Sequence, residues 1–286
     1  MLEFMQAKLY ITATPIGNLE DITLRALRIL KEVNLIACED TRVTQKLLNH
    51  FEIKTPTTAF HAHSQDSKRI TLLDKLEDGE DIALVSDAGT PIVSDPGSLL
   101  VQDAVARQIN VVPIPGPSSV LAALVGSAMP SANWAFLGFP PRNKKAQTEI
   151  LFQFKQVDLT LILFESPHRT EATLRLCAEV LGQREVCVAR EITKKFETFY
   201  RGTFDEVLKK LPKPIKGEVV ILLGPGQNQD VNIEATEEQM LLAAKELLQT
   251  GASSSDTAKA LSQIYQIKRK EAYQIVLNVK SKESQS

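Results

Sequence analysis

Two short segments in the second half of the chain carry acidic and basic side chains that are suited to proton transfer. Glu165, His168 and Arg169 lie in the sequence FESPHR, and Glu191 and Glu197 lie in REITKKFE. Each segment follows a largely apolar run that is typical of a buried strand. A carboxylate at the end of a strand can accept a proton from a substrate, but it pairs with a neighbouring arginine about as often. The residue types therefore leave both roles open.

A third segment, ALVSDAGTPIVSDPG at residues 83–97, indicates a ligand-binding loop. Its first residues are apolar and predict a buried strand, after which Asp87 and Gly89 favour a turn. Asp95 and Pro96 predict the start of a helix, as its N-cap and its first residue. Open α/β sheets bind ligands at such strand-to-helix junctions. An ordinary tight connection has the same pattern, and this loop alone does not distinguish the two.

The same pattern occurs at two other places in the first half of the chain. The strand-like run Leu9–Thr14 ends at the residues PIGN, and Asn110–Ile114 ends at PGPSS. Each run leads into a helical pattern. Three loops of this type favour one shared crevice over three separate turns. Backbone groups would line this crevice, and Asp87 would offer it a hydrogen-bond acceptor.

The apolar pattern alternates between strand and helix over residues 1–130, which predicts an α/β domain with a mostly parallel sheet. The predicted strands are Leu9–Thr14, Leu35–Cys38, Thr57–Phe60, Ala83–Val85 and Asn110–Ile114. The predicted helices are Thr23–Val33, one that runs through Leu47, Leu48 and Phe51, Leu99–Gln108 and Ser119–Ala128.

A second α/β domain is predicted over residues 131–230. Its strands are expected at Thr160–Phe164, Glu185–Ala189, Val219–Leu223 and, at a sheet edge, Thr198–Gly202, and its helices at Glu171–Leu181 and near Asp205–Leu211. Three short amphipathic patterns follow over residues 236–280. They predict a small helix-turn-helix-like extension at the C-terminal end.

The composition and the motifs that do not occur exclude several protein classes. The 286 residues carry a net charge of −2 and give no overall basic signature. No apolar run approaches the ~20 residues of a membrane span, and no signal-peptide pattern opens the chain, so we expect a cytoplasmic protein without a membrane partner. The Walker A, G-x-G-x-x-G and G-x-S-x-G motifs do not occur. His61 and His63 could form a metal pair, but no third metal ligand lies near them in the sequence, so no metal is predicted. The cysteines are expected to be buried thiols.

A series of motifs resembles the ribosomal RNA small subunit methyltransferase I family. Its members are 16S rRNA (cytidine-2′-O)-methyltransferases and belong to the tetrapyrrole methylase superfamily. In chain order the motifs are LYITATPIGNLEDITLRAL, CEDTR, ALVSDAGTPIVSDPG, PGPSS, FLGFPPR, FESPHR, REITKKFET and KGEVVILLGPG. The resemblance implies two α/β domains of the tetrapyrrole methylase type, with S-adenosyl-L-methionine (SAM) in the cleft between them, and a small helical extension. It also implies a homodimer that methylates the ribose 2′-hydroxyl of a cytidine in the decoding region of 16S rRNA in the 30S subunit.

The resemblance also implies roles for individual residues. SAM should contact three loops and two strand ends, at Pro15, Gly17, Asp87, Ala88, Gly89, Thr90, Val93, Ser118, Ser119, Leu163 and Leu223. The hydroxyl must be held in line and lose its proton, and the candidate bases are Glu165, Glu191 and Glu197, with none assigned. Basic side chains that could bind RNA phosphates, or could equally be solvated surface, are Arg142, Lys144, Lys145, Arg169, Lys194, Lys268, Arg269 and Lys270.

Two other functions stay open at this point. One is SAM-dependent methylation of a tetrapyrrole small molecule, because tetrapyrrole enzymes of the superfamily share the cleft. The other is a SAM-binding module without catalysis. The motifs SDAGTP, ESPHR and REITK favour the RNA-modifying branch.

Overall fold

The computed structural model describes residues 7–61, 66–226, 237–249, 252–265 and 267–283, so that His63 lies outside the described residues. The chain forms two compact units, Met1–Gly226 and Gln227–Ser286. None of the helices in the described ranges has the length and apolar character that crossing a membrane requires. The predicted division of the first unit at residue 130 stays a prediction.

The first sheet of the larger unit is entirely parallel, in agreement with the sequence pattern. Its strands are β1 (Lys8–Thr12), β2 (Leu35–Cys38), β3 (Thr57–Ala59), β4 (Ile82–Val85) and β5 (Asn110–Ile114), in the order β3-β2-β4-β1-β5. The helices around it are α1 (Leu24–Glu32), α2 (Thr41–His50), α3 (Asp66–Glu77) and α4 (Ser98–Ala106), and α5 (Ser119–Ser127) follows β5. Because the strands are parallel, their carboxyl ends meet at one edge of the sheet.

Burial on both faces explains why β4 is apolar throughout. Leu84 packs into a core cluster with Leu72 and Leu100 on one face. Its neighbours Ala83 and Val85 belong to the cluster on the opposite face. This alternation follows from the two-residue repeat of a strand. The central strand is thereby fixed in position, and so is the loop that leaves its carboxyl end.

The second sheet is mixed. Its strands are β6 (Trp134–Phe136), β7 (Thr160–Glu165), β8 (Val186–Arg190), β9 (Thr198–Gly202) and β10 (Val219–Leu223), in the order β6-β7-β10-β8-β9. Only the β6–β7 pair is parallel among these described strands. One face is covered by α6 (Lys144–Phe152), α7 (Thr170–Leu181) and α8 (Phe204–Lys210). The other face packs against α5 through Val120, Ala123 and Leu124.

Several elements differ from the sequence prediction. The pattern did not predict α3, β6 or α6. The helix expected to start at Asp95 begins at Ser98, with Gly97 as its N-cap. The reason lies in the backbone, because Ile92 and Ser94 have φ angles of 76° and 69°. Two left-handed residues turn the chain away from a helical path, and the N-cap and first helical residue lie two residues later than predicted.

The smaller unit consists of three helices in the described part of residues 227–286, where three were predicted. They are α9 (Glu237–Gln249), α10 (Ser254–Ile264) and α11 (Arg269–Glu283). Ser253 caps α10 by accepting a hydrogen bond from the Asp256 N–H. Ala244, Leu261 and Val276 are among the residues that form the core between the helices. Each helix therefore buries its apolar face against the other two.

Cys38, Cys177 and Cys187 are buried and form no disulfide, in agreement with the prediction. Desolvation raises the pKa of Cys177 to about 12 and that of Cys187 to about 11. Both side chains are therefore protonated thiols at neutral pH and act as small apolar groups in the core.

Candidate active site

A cleft of about 350 Å³ lies between the carboxyl edge of the first sheet and the second sheet. The first sheet contributes small residues from two of its loops, among them Ala88, Gly89, Thr90, Ser118 and Ser119. The second half contributes aromatic and apolar residues, among them Phe139, Phe164, Pro167, Val219 and Val220. One wall is therefore rich in backbone and hydroxyl groups, and the other is mainly apolar.

The loops of the first sheet are joined by hydrogen bonds, as a shared crevice requires. Thr14 and Gly89 exchange two backbone bonds, of 2.9 Å and 3.0 Å. The Thr14 hydroxyl donates to the Ser86 carbonyl at 3.1 Å. The Thr90 hydroxyl donates to the Pro117 carbonyl at 3.2 Å. The three loops that the sequence singled out are thus held together at one edge of the sheet.

Gly89 is needed in this arrangement for its backbone conformation. Its φ angle is +80°, and a Cβ atom built on it would lie 3.3 Å from Cγ2 of Ile16. A side chain at this position would therefore press on Ile16, which itself lines the cleft. The structure therefore supports a requirement for glycine here, because of its φ angle and the contact with Ile16.

Six of the residues predicted to contact the cofactor line the cleft: Ala88, Gly89, Thr90, Val93, Ser118 and Ser119. Pro15 and Asp87 instead line a neighbouring pocket of about 220 Å³. The Asp87 carboxylate accepts a hydrogen bond from the Asp40 N–H at 3.0 Å. A Cβ on Gly17 would lie 2.5 Å from Cγ of Lys194, so that this side chain covers the glycine.

Leu163 and Leu223 are fully buried in the core beneath the second sheet and do not line the cleft. Leu163 faces away from the cleft because side chains alternate along β7, which turns its neighbour Phe164 to the cleft face. Leu223 lies at the far end of β10, paired with Leu161, because β10 runs antiparallel to β7. The strand ends that reach the cleft are the end of β7 and the start of β10.

The Glu165 carboxylate is shielded and fully engaged. It accepts hydrogen bonds from the Ser166 N–H at 2.8 Å and the Thr173 hydroxyl at 2.6 Å. Its other close partner is Arg169, at 3.4 Å, and the Glu165 side chain is 0% exposed. Arg169 also donates to the Pro140 carbonyl at 3.2 Å. This carboxylate thus holds the FESPHR turn together through its partners.

Glu191 and Glu197 are also held by hydrogen bonds. Glu191 accepts from the Glu218 N–H at 3.0 Å and from the Lys194 ammonium at 3.1 Å. Burial alone would raise the pKa of Glu191, but these two partners lower it overall. Glu197 accepts from the Thr193 N–H at 2.6 Å. Neither carboxylate lines the cleft, and the choice of a base among the three predicted candidates stays untested.

The predicted RNA-binding side chains fall into two groups. Arg169 and Lys194 are occupied, since Lys194 pairs with Glu191 and with Glu218 at 3.0 Å. The others are exposed: Arg142, Lys144, Lys145, Lys268, Arg269 and Lys270. Among these, Lys144 reaches Glu179 at 3.3 Å. They lie in two clusters, one at the start of α6 and one at the start of α11.

Asp95 lines the cleft although the sequence pattern assigned it to a helix N-cap. It is half-buried, and burial is the main cause that raises the pKa of its carboxyl. The available signal was the glycine at position 97, because glycine is a common N-cap and offers a helix start after Asp95. Phe139 and Phe164 were also missed, and their rings lie 5.3 Å apart.

The profile of the family described as Tetrapyrrole (Corrin/Porphyrin) Methylases matches residues 8–208. Ribosomal RNA small subunit methyltransferase I of Halalkalibacterium halodurans is 47% identical, over 75% of this chain and 75% of its own. The protein of the same name from Bacillus subtilis is 40% identical, over 93% of this chain and 92% of its own. The chain belongs to the ribosomal RNA small subunit methyltransferase I family.

A solved structure shows that the fold of this family is shared with distant enzymes. Uroporphyrin-III C-methyltransferase from Thermus thermophilus, complexed with S-adenosylhomocysteine, has a TM-score of 0.54 and 19% identity. The alignment covers 76% of this chain and 97% of that structure. At this identity the likeness shows the fold alone. It confirms the predicted tetrapyrrole methylase architecture for this member of the family.

The cleft of this family member has the properties that a SAM-sized ligand requires. Its volume of about 350 Å³ falls in the range of about 300–1,000 Å³ that is usual for small-molecule sites. Phe139 and Phe164 offer an apolar surface for an aromatic ring, and Ser118 and Ser119 offer hydroxyl groups. The residues present therefore fit the cofactor.

Proposed function

We propose that this protein transfers a methyl group from SAM to the ribose 2′-hydroxyl of a cytidine in the decoding region of 16S rRNA. The observation that carries the proposal is the cleft, which is built from the SDAGTP and FESPHR segments. The chain that builds it is 47% and 40% identical to two proteins named ribosomal RNA small subunit methyltransferase I. We place the reaction in the cytoplasm, on the 30S subunit.

Bound in the cleft, SAM would supply a methyl group that its sulfonium centre already activates. The protein residues then have three tasks, which are to bind the cofactor, to hold the ribose hydroxyl in line and to remove its proton. Ser118, Ser119 and the loop at Ala88–Thr90 would hold the polar parts of the cofactor. Phe139 and Phe164 would exclude water from the reacting atoms. Proper orientation can lower the barrier by about 7–11 kcal/mol.

The positions of the two exposed basic clusters support an RNA substrate. Lys144 and Lys145 lie in the first turn of α6, and Arg269 and Lys270 lie in the first turn of α11. A helix dipole disfavours cations at the N-terminus by about 0.3–1 kcal/mol each. Helix stability therefore does not explain these residues, whereas phosphate groups would be attracted both by the cations and by the free N–H groups.

We also propose that the protein acts as a homodimer. On α5, Leu121 is 51% exposed and Val125 is 80% exposed. Apolar side chains side by side on one helix are better accommodated when a second copy covers them.

Transfer of tritiated methyl groups from SAM tests the proposed function. Incubation with 30S subunits should label 16S rRNA, and alkaline hydrolysis should leave the label in one resistant dinucleotide, because a 2′-O-methyl group blocks cleavage there. A precorrin-type tetrapyrrole serves as the comparison substrate. Label on the tetrapyrrole alone would replace the proposal with small-molecule methylation. Label on neither substrate, with SAM bound, would indicate a binding module without catalysis.

Truncation after Gly226 should separate cofactor binding from RNA binding. Every described residue that lines the cleft lies between Ile16 and Val220, inside the compact unit Met1–Gly226. SAM affinity, measured by calorimetry, should therefore stay within about three-fold of the intact chain. Methylation of 30S subunits should fall strongly, and the salt dependence of RNA binding should decrease, because Lys268, Arg269 and Lys270 are lost. Full methylation by the truncated protein would contradict a substrate-binding role for these helices.

A further inference from the structure

The proton acceptor for the ribose hydroxyl has to combine access to the cleft with a free carboxylate oxygen. The described residues offer three carboxylates in the cleft lining, Asp95, Glu165 and Glu218. Glu165 is 0% exposed and is bonded to Thr173 and Arg169. Both oxygens of Glu165 are therefore occupied and shielded, so that neither is free to accept a proton from a substrate hydroxyl.

Glu218 is also engaged, for a different reason. Its carboxylate lies 3.0 Å from the Lys194 ammonium, and its side chain is 71% exposed. The ammonium occupies one carboxylate oxygen, and most of the side chain faces solvent. Glu218 is therefore poorly suited to take a proton within a closed reaction site.

Asp95 alone among the three is half-buried and is not ion-paired within the described residues. The neutral Ser86 hydroxyl, just after β4, lowers the pKa of the Asp95 carboxyl and donates to the carbonyls of Ala88 and Gly89, at 3.3 Å and 3.4 Å. We propose that Asp95 is the catalytic residue that accepts the proton of the ribose 2′-hydroxyl. This inference rests on the proposed function and goes beyond it by naming the base.

The loop that carries Asp95 is built to hold it in the cleft. Ile92 has a φ angle of 76° and Ser94 one of 69°, a conformation that is rare for a β-branched residue such as isoleucine. Gly97 lies closely against Leu84 and Ile92, and its own φ of +125° ends the loop. Such strained backbone conformations are found mostly at functional sites. With these backbone angles, Val93, Ser94 and Asp95 all line the cleft.

The electrostatic surroundings support the assignment. Burial raises the pKa of the Asp95 carboxyl, the Ser86 hydrogen bond lowers it, and the charge of Asp87 raises it. Glu39 also faces Asp95, and burial, Asp87 and Asp95 raise the pKa of Glu39 in turn. A raised pKa makes a carboxylate a stronger base near neutral pH. Among the described residues, the other charged groups that line the cleft are Glu165 and Glu218, and Lys194 pairs with Glu218 from outside the lining.

In the proposed step, the ribose oxygen forms a bond to the methyl carbon as the bond from that carbon to sulfur breaks. The electron pair of the broken bond stays on sulfur, and the positive charge of the sulfonium is lost. The hydroxyl proton passes to an oxygen of the Asp95 carboxylate, which later releases it to solvent. Deprotonated Asp95 is the active form, so the rate should fall as the pH drops through its pKa.

Asp95→Asn tests this step because it keeps the shape of the side chain and removes the basic oxygen. We expect SAM affinity, measured by calorimetry, to stay within about three-fold, and the single-turnover methylation rate of 30S subunits to fall by about 10²- to 10⁴-fold. The acidic limb of the pH–rate profile should disappear. The intact protein is the reference: if it labels no RNA, the proposed function fails, whereas an unchanged rate in Asp95→Asn overturns only the assignment of the base.

Further outcomes separate a catalytic residue from a binding residue. A loss of SAM affinity of more than ten-fold in Asp95→Asn, with a proportionate loss of rate, would make Asp95 a cofactor ligand and overturn the proposal. Ser86→Ala provides a second test that leaves Asp95 in place and does not require the first variant to fold. Loss of the hydroxyl that lowers the pKa of Asp95 should shift the acidic limb of the pH–rate profile upward. An unshifted limb in a folded Ser86→Ala protein would contradict the proposal.

Discussion

Replacing Arg184 with methionine is expected to lower the free energy of unfolding by about 3 kcal/mol, although Arg184 lies outside the cleft. Its side chain is 2% exposed. The guanidinium donates to the carbonyls of Gly224 at 3.1 Å, Phe154 at 2.5 Å and Lys155 at 3.0 Å. Each carbonyl left without a donor costs about 1–3 kcal/mol. Arg184 has no acidic partner among the described residues, so relief from burying its charge offsets part of this loss.

Urea unfolding measures this effect, and Arg175→Met is the matched control. Arg175 is 64% exposed and pairs with Glu171 four residues earlier on the same helix. Such an exposed pair is worth about 0.3–0.5 kcal/mol, so the control should lose little stability. Arg184→Lys should be intermediate, because an ammonium cannot reach three carbonyls in a planar arrangement. Equal losses for Arg184→Met and Arg175→Met would show that the carbonyl contacts contribute nothing.

The sequence predicted those parts of the fold that depend on local patterns. The bounds of β2 and β10 agree with the predictions, because uniformly apolar runs between polar turns determine both strands. The apolar pattern did not predict α3 because its apolar residues do not all lie on one face of the helix. Ile70 is 45% exposed, whereas the buried residues are Leu72, Leu73 and Leu76. Its existence depends on packing against the sheet, which a local pattern does not contain.

The candidate site could be predicted only in part, for a similar reason. The small-residue loops at Gly89 and Ser118 are local features, and both line the cleft. The position of Leu223 depends instead on the antiparallel pairing of β10 with β7. The cover of Gly17 by Lys194 is a contact between residues far apart in the sequence. The N-cap prediction for Asp95 was wrong because Gly97 takes that position and the left-handed backbone at Ile92 and Ser94 turns the chain before the helix.

Replacing Gly97 with alanine should damage both the stability and the cleft. The φ angle of Gly97 is +125°, and an added Cβ would lie 2.7 Å from Cδ2 of Leu84, in the core. The backbone strain costs about 1–3 kcal/mol, and forcing an atom into a packed core adds a cost of about 1–3 kcal/mol. We expect a loss of about 3 kcal/mol in the free energy of unfolding, measured in urea. Displacement of the loop that carries Asp95 should also weaken SAM binding by more than about ten-fold, which corresponds to 1.4 kcal/mol.

Gly79→Ala separates the two causes. Gly79 also has a positive φ, of +94°, but a Cβ there would meet nothing within 4 Å. Gly79→Ala should therefore lower the free energy of unfolding by the backbone cost alone, about 1 kcal/mol. Its SAM affinity should be unchanged, because Gly79 lies in the turn after α3. The double variant Gly97→Ala, Leu84→Ala removes the close contact but keeps the strain, so its SAM affinity should recover in part. If Gly97→Ala and Gly79→Ala lose equal stability and bind SAM equally well, the contact with Leu84 does not shape the cleft.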